Sequence, residues 1–128
     1  MTLHTFPYST AYDPAMPVLE ITVEAPHSGQ AITHNAALID SGADGTLVPV
    51  DLLERIGAIS IATGRLTWLW QTSRRVSIYI VRLRIGAYTL PRVHVAGVPV
   101  GTDLIVGRNV LNQMRLTLDG LALTTEMP

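Results

Sequence analysis

The sequence contains no cysteine. This absence excludes disulfide bonds, zinc sites built on thiolates and cysteine nucleophiles. Lysine is absent as well, so all nine basic side chains are arginines, and the formal net charge is −1. Because the chain is nearly neutral overall, its charge gives no reason to expect nucleic acid or an anionic membrane as a partner.

Long apolar runs are also missing. No stretch approaches the roughly 20 consecutive apolar residues of a membrane-spanning helix. The opening segment, MTLHTFPYSTAYDP, has neither the basic start nor the continuous apolar core of a secretory signal. We therefore expect a cytoplasmic protein that has no membrane partner.

Patterns for metals and cofactors are equally scarce. The four histidines are spread along the chain without metal-ligand spacing: His4, His27, His34 and His94. Three glycines near residue 100 do not form a phosphate-binding loop between a strand and a helix: Gly97, Gly101 and Gly107. We expect no metal and no cofactor.

The length and composition indicate one folded domain. A chain of 128 residues with 48% hydrophobic and 15% charged residues is long enough to bury a core and too apolar to be disordered. The apolar share is high for so small a protein. Either the core is unusually full, or some apolar surface is buried against a partner.

Many short strands are predicted along the chain. Residues 1–17 hold three prolines and are expected to form an extended arm, and residues 18–128 a single domain. Alternating apolar residues predict strands at 18–25, 31–39, 64–70, 75–85, 88–90, 92–98 and 103–106, and a strand pair at 116–124. Short helices are predicted after an Asp51 N-cap, ending at Gly57, and at 108–114. The pattern predicts an all-β fold, a small closed β-barrel with one or two short helices.

Asp40 is the strongest candidate for chemistry. It follows the apolar residues of a predicted strand and precedes Ser41, Gly42 and Ala43. A carboxylate at the end of a buried strand is costly unless it is paired or hydrogen-bonded. The small residues after it allow a tight turn, which would present the carboxylate to a water molecule as a general base. The alternative is an ordinary turn aspartate that caps its own backbone.

A second segment has the same pattern as the first. The sequence DLIVG, from Asp103 to Gly107, is again an apolar strand that ends in glycine before a short helix. Together with DSGADGTLVP and with GRNVLNQM, which begins at Gly107, it resembles the retropepsin-like aspartic proteases over residues 18–118. This resemblance implies an endopeptidase whose site needs two carboxylates that share a proton. Only one Asp-Ser-Gly motif is present, so the second Asp40 must come from another copy in a two-fold homodimer.

The resemblance also implies roles for the neighbouring residues. Asp40, Ser41 and Gly42 would form the catalytic segment, with Ser41 hydrogen-bonding across the two-fold axis and the Gly42 carbonyl facing the substrate. Ala43 and Asp44 would contact the peptide. Gly107 and Arg108 would support the site, and Arg108 would form an ion pair with Asp44. Two unrelated surface charges are the alternative for that ion pair.

The hairpin at about 64–85 takes the position of the family's flap. Trp68 and Trp70 are spaced to share one face of a strand, either as an apolar wall over the cleft or as ordinary packing. With Gln71 they are expected to contact substrate. The tip departs from the family pattern because residues 71–75 contain no glycine. The second candidate function is therefore a dimeric peptide-binding domain without useful turnover. A small-ligand barrel is a weaker third candidate, because it leaves the two apolar-glycine motifs unexplained.

Overall fold

The computed structural model describes residues 3–67 and 73–128. Its strands are β1 (His4–Pro7), β2 (Val18–Glu24), β3 (Ala31–Ile39), β4 (Thr46–Pro49), β5 (Ser60–Thr67), β6 (Ser73–Ile85), β7 (Tyr88–Val98), β8 (Ile105–Val106), β9 (Thr117–Asp119) and β10 (Thr124–Met127). Its helices are α1 (Val50–Arg55) and α2 (Arg108–Leu111). The prediction of an all-β fold with two short helices is confirmed.

Six strands close into a barrel. Around the ring the order is β2, β3, β8, β4, β7 and β6, and antiparallel pairing of β2 with β6 completes it. Strand β6 is long enough to pair with two partners along one edge, since its first half pairs with β5 and Arg82 to Arg84 pair with β2. The β5–β6 hairpin therefore projects from the ring.

Alternation along β6 builds the main core. Val81, Leu83 and Ile85 are fully buried, because successive side chains of a strand point to opposite faces. Arg82 and Arg84, on the other face, both donate to the buried carboxylate of Glu24, at 2.6 and 3.1 Å. The pairing of Glu24 with two arginines offsets the cost of removing its charge from water.

A smaller apolar cluster packs on the opposite face of the sheet. On β4, Leu47 belongs to this cluster whereas Val48 belongs to the main core. The members of this second cluster come from the hairpin and from the strands beside it: Leu47, Leu66, Val76, Ile78, Ala96, Val98 and Ile105. The hairpin is thus held against β4, β7 and β8 by apolar contacts.

The N-terminus of α1 differs from the prediction. The helix begins at Val50 with Pro49 at the N-cap and no side-chain cap, so the prediction of an Asp51 N-cap is wrong. Proline, with its fixed φ and no amide hydrogen, is readily accommodated at the start of a helix. The predicted end is confirmed. Gly57 has a φ of 68°, and its amide donates to the Glu54 carbonyl at 3.0 Å.

Other elements also differ in extent: β5 begins four residues earlier than predicted, β8 is two residues shorter, and β10 extends beyond the predicted strand pair. The strands predicted at 88–90 and 92–98 are one strand, β7. Pro91 falls where the β6–β7 register shifts. At such a bulge the strand needs no hydrogen bond from the amide of that residue, so proline, which has no amide hydrogen, is accommodated. Helix α2 is shorter than predicted, because residues after Leu111 continue in i to i+3 bonds, such as Met114 N–H to the Leu111 carbonyl at 3.2 Å.

The chain ends meet in a separate three-stranded sheet. Strand β10 lies between β1 and β9 and pairs antiparallel with both. Residues His4–Pro7 of the predicted arm are therefore extended and pair with β10. The division of the chain at residue 17 stays a prediction. Within 3–67 and 73–128, no helix has the length and apolar character needed to cross a membrane.

Candidate active site

Asp40 lies where two parallel strands of the barrel end. Strand β3 pairs with β8 through Leu38 with Ile105 and Ile39 with Val106. The next amide, that of Asp40, donates to the Val106 carbonyl at 3.1 Å. The backbone of Asp40 is thus fixed by β8, and the half-buried residue sits at the edge of the barrel.

The turn after Asp40 orients its carboxylate. The Gly42 amide donates to Asp40 Oδ1 at 2.9 Å, and the Ala43 amide donates to the Asp40 carbonyl at 3.2 Å. A methyl group on Gly42 would lie 3.1 Å from Oδ1, which leaves little room for any larger residue. The same hydrogen bond occurs in an ordinary aspartate turn, so it fits both sequence interpretations.

Arg108 joins α2 to this turn. Its Nη1 donates to the Ser41 carbonyl at 2.7 Å, and its Nη2 forms an ion pair with Asp44. Its backbone amide donates to the Ala43 carbonyl at 2.8 Å. The ion pair expected between Asp44 and Arg108 is therefore present. Because Asp44 is 94% exposed, the pair contributes little stability.

Gly107 allows this close approach of the two segments. A methyl group there would lie 2.1 Å from the Gly45 carbonyl oxygen and 3.0 Å from that of Ala43. Both atoms belong to backbone, which cannot move aside as the end of a side chain could. The position therefore requires glycine.

Two polar residues that the sequence did not single out complete the support. The buried Thr46 hydroxyl donates to Asn109 Oδ1 at 2.8 Å and accepts the Gly107 amide at 3.1 Å. Asn109 Nδ2 donates to the His94 carbonyl at 3.0 Å. These bonds link β4, β7 and α2 behind the turn. In the sequence Thr46 is a single threonine before an apolar run, a pattern that gives no sign of a buried bridge.

The remaining site predictions concern surfaces and substrate. Ser41 is exposed, as an interaction with another copy would require, and its role across a two-fold axis stays a prediction. So do the substrate roles of Gly42, Ala43 and Asp44. Three further predicted residues lie outside the described part of the chain: Trp68, Trp70 and Gln71. Among the residues that the structure describes, no cluster of three acidic or histidine side chains could hold a metal.

Comparisons with known proteins find relatives only at the level of structure. No protein-family model matches the chain, and no curated protein sequence is similar to it. A retropepsin-like aspartic protease from Rickettsia conorii matches with a TM-score of 0.62 and 9% identity, over 98% of this chain and 90% of that one. The EIAV protease, solved in complex with the inhibitor HBY-793, matches with a TM-score of 0.53 and 16% identity, over 77% of this chain and 86% of that one.

These matches confirm the fold prediction. The chain has a retropepsin-like fold. At such low identities the likeness carries the fold alone, so the chemistry must be argued from the residues of this chain.

Proposed function

We propose that this protein is an aspartic endopeptidase that works as a homodimer, with one Asp40 from each copy. The observation that carries the proposal is the position of Asp40 in a retropepsin-like fold. Its backbone is fixed by β8 and one of its carboxylate oxygens by Gly42. Arg108 contacts the same turn through the Ser41 carbonyl and the Asp44 carboxylate. A carboxylate so constrained is suited to act on a water molecule.

The reaction follows from two such carboxyl groups around one water. The ionised Asp40 takes a proton from the water while the water oxygen attacks the scissile carbonyl carbon. The protonated Asp40 of the other copy donates its proton to the carbonyl oxygen. The tetrahedral intermediate then breaks its C–N bond. The carboxyl group that took the water proton donates it to the leaving nitrogen, while the other takes a proton from a hydroxyl of the intermediate as the carbonyl re-forms, so the pair again holds one proton. Because the pair must hold one proton, we expect highest activity at acidic to near-neutral pH.

An apolar groove next to Asp40 supports the dimer. It begins at Ile39, the residue before Asp40, and is lined by Ile39, Leu111, Met114, Leu116 and Leu118. Leu118, in this lining, is 52% exposed, and Leu121, in the turn that follows β9, is 103% exposed. Apolar surface of this kind is costly in water unless it is covered. A second copy seated on it would bring the two Asp40 turns together.

An open strand edge lies in the same place. Within the described residues β9 pairs only with β10, so its outer edge, with Leu118 at its centre, is unpaired. Exposed edges readily accept another strand. Antiparallel pairing of β9 with its symmetry mate would extend the small sheet to about six strands and satisfy the two-fold rule of an isologous contact.

The second cluster supports an extended peptide as substrate. Its half-buried members Leu66, Ile78 and Ile105 lie between the hairpin and the strands that end at Asp40. Ile105 pairs with Leu38, two residues before the carboxylate. Apolar side chains of a peptide laid along this face would be taken out of water.

Peptide cleavage tests the proposal. The purified protein is incubated with a diverse decapeptide pool between about pH 4 and 8, beside Asp40→Asn and the exposed-aspartate control Asp13→Asn. We expect cleavage by the wild type and by Asp13→Asn, and none by a folded Asp40→Asn, since Asn keeps the shape but removes the shared proton. Substantial activity in Asp40→Asn would overturn the catalytic assignment. Activity that keeps rising above about pH 9 would contradict the carboxyl mechanism.

A dimer that binds peptides without cutting them would favour the second candidate function. In that case the dimeric state is shown by sedimentation, and peptide binding by fluorescence anisotropy. The hairpin, which lacks glycine between residues 71 and 75, would then be the first candidate for the cause of the missing cleavage.

A further inference from the structure

Positive charge is concentrated in the middle of the chain. Residues 55–102 hold seven of the nine arginines and none of the ten acidic residues. The arginines in this stretch are Arg55, Arg65, Arg74, Arg75, Arg82, Arg84 and Arg92. The overall charge of −1 therefore hides an uneven distribution of charge along the chain.

Five of these arginines lie on β5 and β6, and three of the five lie where the two strands pair with each other as a hairpin: Arg65, Arg74 and Arg75. Arg82 and Arg84 share the one carboxylate of Glu24, but the hairpin has no acidic residue of its own. Within the described residues, no carboxylate lies within ion-pair distance of Arg65 or Arg75. The hairpin is thus a cationic element on a nearly neutral protein.

The pairing of the two strands places the cations on both faces. Arg65 and Arg75 are direct cross-strand partners, so two like charges face each other on one side, an arrangement that is unfavourable by itself. Arg65 Nη1 donates to Ser73 Oγ at 3.1 Å, toward the end of the hairpin. Arg74 is opposite Leu66, and therefore lies on the face that packs against the second cluster.

We propose that the hairpin arginines select peptides that carry acidic side chains close to the bond to be cut. This inference rests on the proposed function. An extended peptide presents alternate side chains to opposite sides. Apolar side chains on one side would then meet the second cluster. The acidic side chains between them, on the other side of the peptide, would lie in the positive potential of the hairpin, to which the cross-strand partners Arg65 and Arg75 contribute.

The test compares two peptides that differ only in charge. One decapeptide alternates apolar residues with Glu and the other has Gln in place of each Glu. The ratio of kcat/KM for the acidic peptide to that for the neutral one is measured at about 50 mM and about 500 mM KCl. We expect a ratio of roughly 5 to 10 at low salt, from a two- to threefold effect of each exposed ion pair. The ratio falls toward 1 at high salt, because salt screens exposed charges.

Paired charge variants locate the effect. Arg74→Gln/Arg75→Gln removes one cation from each face of the hairpin and also removes the like-charge pair, so the hairpin is not expected to lose stability. Arg55→Gln/Arg92→Gln makes the same change in net charge at two exposed positions outside it. The preference should disappear in the hairpin variant and persist in the control. A preference absent from the wild type, kept in the hairpin variant or lost equally in both overturns the proposal.

Binding separates this inference from the proposed function. Fluorescence anisotropy with both peptides is measured on Asp40→Asn, which binds without cutting. A preference in binding without cleavage by the wild type would refute the protease and keep the hairpin assignment. Cleavage by the wild type without a preference for the acidic peptide would support the protease and refute the hairpin assignment. Equal affinity for a single-stranded oligonucleotide of the same charge would show a general anion surface and overturn the peptide assignment.

Discussion

The α-carbon of Gly107 faces the carbonyl group of Gly45 so closely that a methyl group on Gly107 would lie 2.1 Å from its oxygen. This contact sets the distance between α2 and the Asp40 turn. On it depend the Arg108 amide bond to the Ala43 carbonyl and the Gly107 amide bond to Thr46. The site thus relies on a backbone-to-backbone contact that only glycine permits.

Gly107→Ala should destabilise the protein strongly. Because the obstructing atoms are backbone, the two segments must separate, and we expect the free energy of unfolding to fall by about 1–3 kcal/mol. Gly45→Ala is the matched control in the same contact. Its added methyl would have no heavy atom within 4 Å, and its φ is not positive. Urea denaturation of both variants checks this, and equal losses would contradict it.

Thr46→Val should cost stability although it preserves shape. The substitution leaves the Gly107 amide and the Asn109 amide oxygen without their partner. The Gly107 amide is buried, and burying one unpaired polar group costs about 1–3 kcal/mol, so we expect a loss of that size in the free energy of unfolding. Thr46→Ser, which keeps the hydroxyl, should lose much less. A Val variant as stable as the Ser variant would show that the bridge contributes nothing.

The sequence predicted the elements whose signal is local. Alternation is clear around Val23 and Val81, so β2 and the second half of β6 were predicted to within a few residues. The Asp51 cap failed because Pro49 occupies the N-cap position. Pro91 suggested a break between strands, but the partner strand accommodates it at a bulge. In both cases proline decided the outcome through its neighbours in space.

The site was predictable only in part for a related reason. Asp40 stands out because a charged residue ends an apolar strand, and Arg108 because of the motif around it. Thr46 acts through contacts with residues more than 60 positions away, and no local pattern marks it. Asn109 stands in the GRNVLNQM motif, but the motif does not reveal its bonds to Thr46 and to the His94 carbonyl. The number of arginines in the hairpin can be counted in the sequence. Which of them face each other depends on the strand register, which sets Arg65 opposite Arg75.

Stability at high pH should depend on Tyr12. A hydrogen bond to Asp103, then burial and the Asp103 charge, raises the pKa of Tyr12 above its ordinary value of 10.0. The neutral hydroxyl is thus favoured in the folded state. Its contribution is complete below about pH 10 and is lost as the pH rises through the folded pKa. Tyr12→Phe should therefore be less stable than the wild type at neutral pH, and the difference should shrink above pH 10.

A double-mutant cycle checks the partner of Tyr12. Urea denaturation of Tyr12→Phe, Asp103→Ala and the double variant at neutral pH gives their coupling energy, which should be positive and small for a pair near the surface. Additive effects, or a Tyr12→Phe difference unchanged above about pH 11, would show that Asp103 is not the partner.

Dimer formation should depend on the apolar surface beside Asp40. Leu118→Glu/Leu121→Glu places two charges where the partner copy is proposed to sit. A charge buried without a partner costs several kcal/mol, so the dissociation constant of the dimer should rise by at least about 100-fold. Both side chains are at least half exposed within the subunit, so its fold should survive. Sedimentation velocity measures the change. Peptide cleavage should fall with the dimer, because each copy holds one carboxylate of the pair.

Ile59→Glu is the matched control for this last experiment. Ile59 is 60% exposed, lies just before β5 and is not among the residues that line the groove, so its substitution adds a charge to apolar surface outside the proposed contact. It should leave both the dimer and cleavage intact. If the double variant also remained a dimer, the surface would be assigned wrongly. If the double variant were a monomer and still cleaved peptides, the two-copy site itself would be refuted, since one subunit supplies only one Asp40.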